Sequence, residues 1–160
     1  MAQTIFLADT NVVSELVKQT PDAGVMQWLQ SVELMSICAV TIEEAHFGLA
    51  WQPHARKLSL FNAIVRSLHA VYPVTESIAQ RAGVLRGQFQ AQDITRSAPD
   101  ILIAATAQEH LLVIATRNVR DFMGCGVQVV NPFEHGNCAH LGSINRQIVL
   151  VDRGAFSGKF

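Results

Sequence analysis

Cysteine is scarce in this 160-residue chain, and none of the three, Cys38, Cys125 and Cys138, forms a C-x-x-C pair. An odd count at such spacing does not make a disulfide framework, the device on which small secreted domains rely. Cys38, inside an apolar run, reads as a core residue. Long apolar runs are missing too. The longest, Ile101–Ala107 (broken by Thr106) and Leu111–Ala115, fall well short of the ~20 residues of a membrane-spanning helix. The start, Met1-Ala2-Gln3-Thr4, has no basic stretch, and no N-x-Ser/Thr sequon occurs. A soluble, cytoplasmic protein is the expectation.

An excess of one charge is also absent. Twelve Lys and Arg face thirteen Asp and Glu, for a formal net charge of −1, which argues against nucleic-acid binding by bulk charge alone. With 49% hydrophobic and only 16% charged residues, the chain is no disordered tail and can bury one core in one domain. The charge is nonetheless unevenly placed. Arg81, Arg86, Arg96, Arg117 and Arg120 follow one another along the chain, and residues 135–160 hold three basic groups against one acidic. A basic rim around an acidic centre would satisfy both the sum and the distribution.

What is present is an alternation of short apolar strands with amphipathic helices. Thr4–Ala8 reads as a buried strand that stops at Asp9-Thr10-Asn11, followed by a short helix over Asn11–Val17 and another from Pro21-Asp22. Glu33–Val40 reads as strand two. Thr41 then suits a helix N-cap with Glu44 as its capping-box partner, the helix turning Ile42, Ala45, Leu49 and Ala50 inward. Pro53–Leu68 places Leu58, Phe61, Ile64, Val65 and Leu68 on one stripe. Val71–Val74 is a brief strand, and a helix from Thr75 or Ser77 carries Ile78, Ala82, Leu85 and Phe89. After a polar loop, Pro99 and Asp100 suit the first turn of a buried helix running to His110. Strands at Leu112–Ala115 and Val127–Val130 flank a short turn or helix at Asn118–Met123. Continuous apolar strands alternating with helices indicate an α/β fold with a parallel sheet between two helical layers. Beyond Pro132 the pattern changes, with Ile148–Val151 the one apolar cluster, so residues 135–160 read as a tail or a dispensable extra strand.

In an open parallel sheet, ligand chemistry collects at the carboxyl ends of the strands. Asp9 follows strand one, Glu44 opens the helix after strand two, Asp100 opens a buried helix, and Asn118 and Asp121 follow the strand at Leu112–Ala115. Carboxylates gathered in this way raise each other's pKa, and a hard cation relieves the repulsion. Mg²⁺ keeps several waters and needs only one or two direct carboxylates, and the reaction that suits such a site best is phosphodiester hydrolysis. Each residue also has a plainer reading: Glu44 as a capping-box acid, Asp100 as a dipole partner, Asp9 as the start of an Asx-turn, Asn118 as a helix cap.

The local motifs go further than the spacing. Leu7-Ala8-Asp9-Thr10-Asn11-Val12-Val13-Ser14-Glu15-Leu16 resembles the amino-terminal motif of PIN-domain toxins of the VapC and FitB type. Thr41–Leu49 resembles their second motif, with the acid at Glu44 rather than Glu43. Pro99–Ala107 is similar to the third, and Ala115–Phe122 with Val130-Asn131-Pro132-Phe133 to the end of the domain. The resemblance spans residues 4–134. It implies a PIN-like three-layer sandwich with a parallel sheet of about five strands, the PIN domain ending at residue 134. It also implies a Mg²⁺- or Mn²⁺-dependent ribonuclease in which Asp9 and Asp100 are the direct metal ligands and Glu44 completes the site or activates water. The implied partners are RNA, a small antitoxin that also binds operator DNA, and a second copy of the chain.

The fourth acidic position of many members falls on Asn118, and Asp121 is the candidate substitute. That amide keeps open a non-catalytic PIN-fold subunit as the alternative. Arg117 and Arg120 are candidates for RNA phosphate contacts, although Arg117 equally suits bracing Asp121 or acidic side chains of an antitoxin. Two other classes are weaker. A haloacid-dehalogenase-like phosphatase wants a second Asp where Asn11 stands. A zinc module from Cys125, His135, Cys138 and His140 lacks the usual ligand spacing.

Overall fold

The computed structural model describes residues 3–134 and the pair 149–150. Five strands, β1 (Ile5–Ala8), β2 (Leu34–Cys38), β3 (Ala70–Tyr72), β4 (Val113–Ala115) and β5 (Gln128–Val130), form a parallel sheet in the order β3-β2-β1-β4-β5. A sixth, β6 (Val149–Leu150), pairs antiparallel with β5 at the outer edge. The parallel α/β expectation and its five strands therefore hold. Of the apolar cluster Ile148–Val151, the two described residues do pair with the sheet.

Side chains alternate across a strand, and the central strands β1 and β4 are apolar on both faces, so each needs two helical covers. Leu7, Cys38, Ile114 and Val129 point to one side. There they meet α5 (Glu76–Gln90), through Ile78, Ala82, Leu85 and Phe89, and α6 (Ala98–His110), through Ile101, Ile103, Ala104, Ala105 and Ala107. Phe6, Ala8, Ile37, Val113, Ala115 and Val130 point to the other. That face is covered by α1 (Thr10–Leu16), α2 (Ala23–Gln30) and α4 (Ala55–Ser67), which contribute Val12, Val13, Val25, Trp28 and Phe61. Phe6 meets the Trp28 ring edge-on at 5.4 Å.

Helix α3 (Ala39–Trp51) departs from expectation. β2 runs into it without a loop, so Cys38, in extended conformation, occupies the N-cap without a side-chain capping bond. Thr41 is consequently the third residue of the helix, buried, its hydroxyl without a partner among the described residues. It caps nothing, and the capping box with Glu44 does not form. Ala50, expected inside, is exposed, as are Phe47 and Trp51. In α4, Leu58 of the expected stripe is also exposed.

Candidate active site

The carboxyl ends of β1 and β4 are locked side by side. The Asp9 amide donates to the Ala115 carbonyl at 2.9 Å, and the Thr116 amide donates to the Val130 carbonyl at 3.0 Å. Asp9 is thus the first residue beyond the sheet and the N-cap of α1, its Oδ1 accepting the Thr10 N–H at 2.7 Å. Its Oδ2 accepts the Thr116 hydroxyl at 2.7 Å and the Asn11 side-chain amide at 2.9 Å. The same Thr116 oxygen accepts Asn11 Nδ2 and the Asn118 N–H, both at 3.0 Å. Asn11 Oδ1 in turn accepts the Arg117 N–H at 3.1 Å. A small network therefore fixes the buried Asp9 carboxylate in one orientation.

Glu44, half-buried on α3, accepts the hydroxyl of Thr10. Losing the capping box thus leaves this carboxylate facing the end of β1. Asp100 lies in the first turn of α6, whose N-cap Ser97 accepts the Asp100 N–H at 3.1 Å and donates its own hydroxyl to the Asp100 carboxylate. Asp121 sits in the 3-10 turn Val119–Phe122 that follows β4.

Burial pushes the Asp9 carboxyl above the ordinary carboxylate range. Its hydrogen bonds from Thr116 and Thr10 oppose that rise, and the negative charges of Asp100 and Glu44 add to it. Asp100 is raised likewise, by burial and by the charge of Asp121, against the Ser97 bond and the positive charge of Arg96. Four acids from four separate segments therefore share one electrostatic neighbourhood. Asn118 is exposed, caps nothing with its side chain, and leaves the fourth negative charge to Asp121.

Among the described residues none of the four acids is ion-paired, since Lys18 and Arg117 pair with Glu15, and Arg81 with Glu109. Such an uncompensated set of oxygen donors fits a hard divalent cation. Among the described residues no three His, Cys, Asp or Glu side chains stand close enough to cage an ion unaided. A cation that completes its shell with water, as Mg²⁺ does, fits such a sparse set of donors.

Arg117 does not reach Asp121. Its guanidinium lies 3.4 Å from Glu15 and 3.9 Å over the Phe133 ring, half exposed, and Arg120 is exposed. Of the zinc candidates, His135, Cys138 and His140 lie outside the described residues. Cys125 is buried, and burial pushes its thiol up to about 11. Sequence reasoning missed the supporting residues Thr10, Asn11, Ser97, Arg96 and Thr116. The one available signal was their position within a few residues of the acids, in the same motifs.

The PIN domain family model matches residues 6–122. The chain is similar to a VapC ribonuclease, Y4jK, from Sinorhizobium fredii, with 31% identity over 81% of this chain and 99% of that one. It resembles the toxin FitB of Neisseria gonorrhoeae at 31% identity, with the same coverage of both chains. The solved structure of FitAB bound to a DNA fragment superposes with a TM-score of 0.71 at 30% identity, over 85% of this chain and all of that one.

Proposed function

The chain belongs to the PIN-domain family, and on that premise we propose that it is a divalent-metal-dependent endoribonuclease, the toxin of a toxin–antitoxin pair. One observation carries the reading. At the carboxyl end of a parallel sheet, Asp9 sits where β1 and β4 end side by side, Thr10 beside it bonds Glu44, and Asp100 and Asp121 open the helix and the turn on either side of β4. Residues 1–134 carry the whole PIN-domain pattern, and 135–160 follow it as a tail whose Val149–Leu150 returns to pair with β5.

In this mechanism Asp9 and Asp100 would hold the cation, Mg²⁺ or Mn²⁺, which when bound would offset charge on the phosphodiester and make water a better nucleophile at neutral pH. Thr116 and Asn11 keep the Asp9 carboxylate turned to the site, and Ser97 does the same for Asp100. Glu44, steadied by Thr10, accepts the proton of the attacking water. Asp121 supplies the negative charge absent at Asn118. Arg120 and the exposed part of Arg117 contact RNA phosphates. The likeness to FitAB bound to a DNA fragment supports an antitoxin partner whose complex with the toxin binds operator DNA. A homodimer of the toxin belongs to the same proposal and rests on the family resemblance alone.

The test is RNA cleavage by the purified chain, free of antitoxin, with Mg²⁺ and with chelator, beside Asp9→Asn and Asp100→Asn. Metal-dependent cleavage that both variants abolish is expected. Equal cleavage by all three, or none by wild type, overturns the reading. It would leave the non-catalytic PIN subunit, the alternative that the amide at Asn118 favours.

A further inference from the structure

The segments bearing Asp100 and Asp121 come from opposite ends of helix α6 and strand β4, and one side chain ties them together. Arg96, in the loop before α6, donates from Nη2 to the Met123 carbonyl at 3.1 Å, immediately after the turn that carries Asp121. Its guanidinium also lies over the Phe89 ring of α5, 5.0 Å from the centroid. The same ring supports the next residue of the turn. Gly124 has φ +80°, and a Cβ there would meet the ring carbons at 3.1 and 3.3 Å. The chain at 123–124 therefore lies between a ring that leaves no room for a side chain at Gly124 and a guanidinium gripping the Met123 carbonyl.

A staple kept for stability alone would satisfy its donors. Arg96 does not: its Nε is buried and has no partner among the described residues, an arrangement that costs the fold and calls for a reason. Asp100 lies four residues along the chain from Arg96, and Asp121 two residues before the carbonyl that Arg96 holds. We propose that Arg96 is a positioning residue that fixes the Asp121 turn against the start of α6, and so sets the two carboxylates as one half of the metal site. This inference rests on the metal-site reading above.

Charge and position make opposite demands here. Removing a nearby positive charge should tighten cation binding if charge alone matters. Loosening the clamp should weaken it. Mn²⁺ binding to the full chain, measured by titration calorimetry, is expected to weaken about tenfold in Arg96→Gln, the scale seen when outer-shell partners of metal ligands are lost. Arg96→Lys, which keeps a donor for the Met123 carbonyl, should recover part of the loss. The metal-free melting temperature should change little. A second measurement needs no metal: amide hydrogen exchange at Asp121 and Met123 should quicken in Arg96→Gln while β1 stays protected. If wild type binds no Mn²⁺, the metal-site reading fails and the exchange data alone decide the clamp. Unchanged or tighter Mn²⁺ binding, or unchanged exchange at 121–123, overturns the proposal.

Discussion

The Thr116 hydroxyl donates to Asp9 and accepts the Asn11 and Asn118 N–H groups, so Thr116→Val removes three hydrogen bonds and leaves Asp9 short of a donor. The loss should cost about 1–3 kcal/mol by urea unfolding and lower cleavage, and Thr116→Ser should restore both. The acids themselves work against the fold. With Asp100 raised above its ordinary 3.8, the native state prefers the protonated form. Its stability contribution is full below that value and is lost as pH rises through the raised one. Metal-free wild type should therefore lose ground to Asp100→Asn in melting temperature as pH rises above the ordinary 3.8 and through the raised value. Parallel melting curves for the two across that window would show that Asp100 titrates normally.

At the scale of the element, two helix starts that look alike in sequence behave differently. Ser97 caps α6 and also bonds Asp100, so Ser97→Ala should cost about 1 kcal/mol and depress cleavage as well. Thr41 caps nothing and buries an unpartnered hydroxyl, so Thr41→Val should be neutral or stabilise by up to about 1 kcal/mol in the same unfolding assay. The capping-box pattern was legible in sequence, but nothing local reveals that β2 enters α3 without a loop. The strands and the buried helix α6 were readable because their apolar pattern is continuous. Asp9, Glu44 and Asp100 were readable because each sits inside a short motif. The Thr10–Glu44 and Arg96–Met123 contacts were not, since each joins residues 27 or more positions apart.

For the whole molecule, α2 docks on the turn Pro132–Glu134 so tightly that a Cβ at Gly24 would lie 2.9 Å from the Pro132 carbonyl oxygen. Truncation after Glu134 should leave the circular dichroism spectrum and the melting transition intact. It also removes β6 and bares the edge of β5, so the truncated chain should self-associate more readily in sedimentation velocity. The central position of β1 has a further consequence for how the protein is made. Its neighbours come from the beginning and the end of the domain, β2 early and β4 late. A nascent chain that has reached residue 99 carries Asp9 and Glu44 but has neither Asp100 nor the β4 strand that orients Asp9. Synthesis runs from the amino terminus, so the acidic edge is assembled among the last features of the domain. The full set of Asp9, Glu44, Asp100 and Asp121 therefore exists together only when almost the whole domain has emerged.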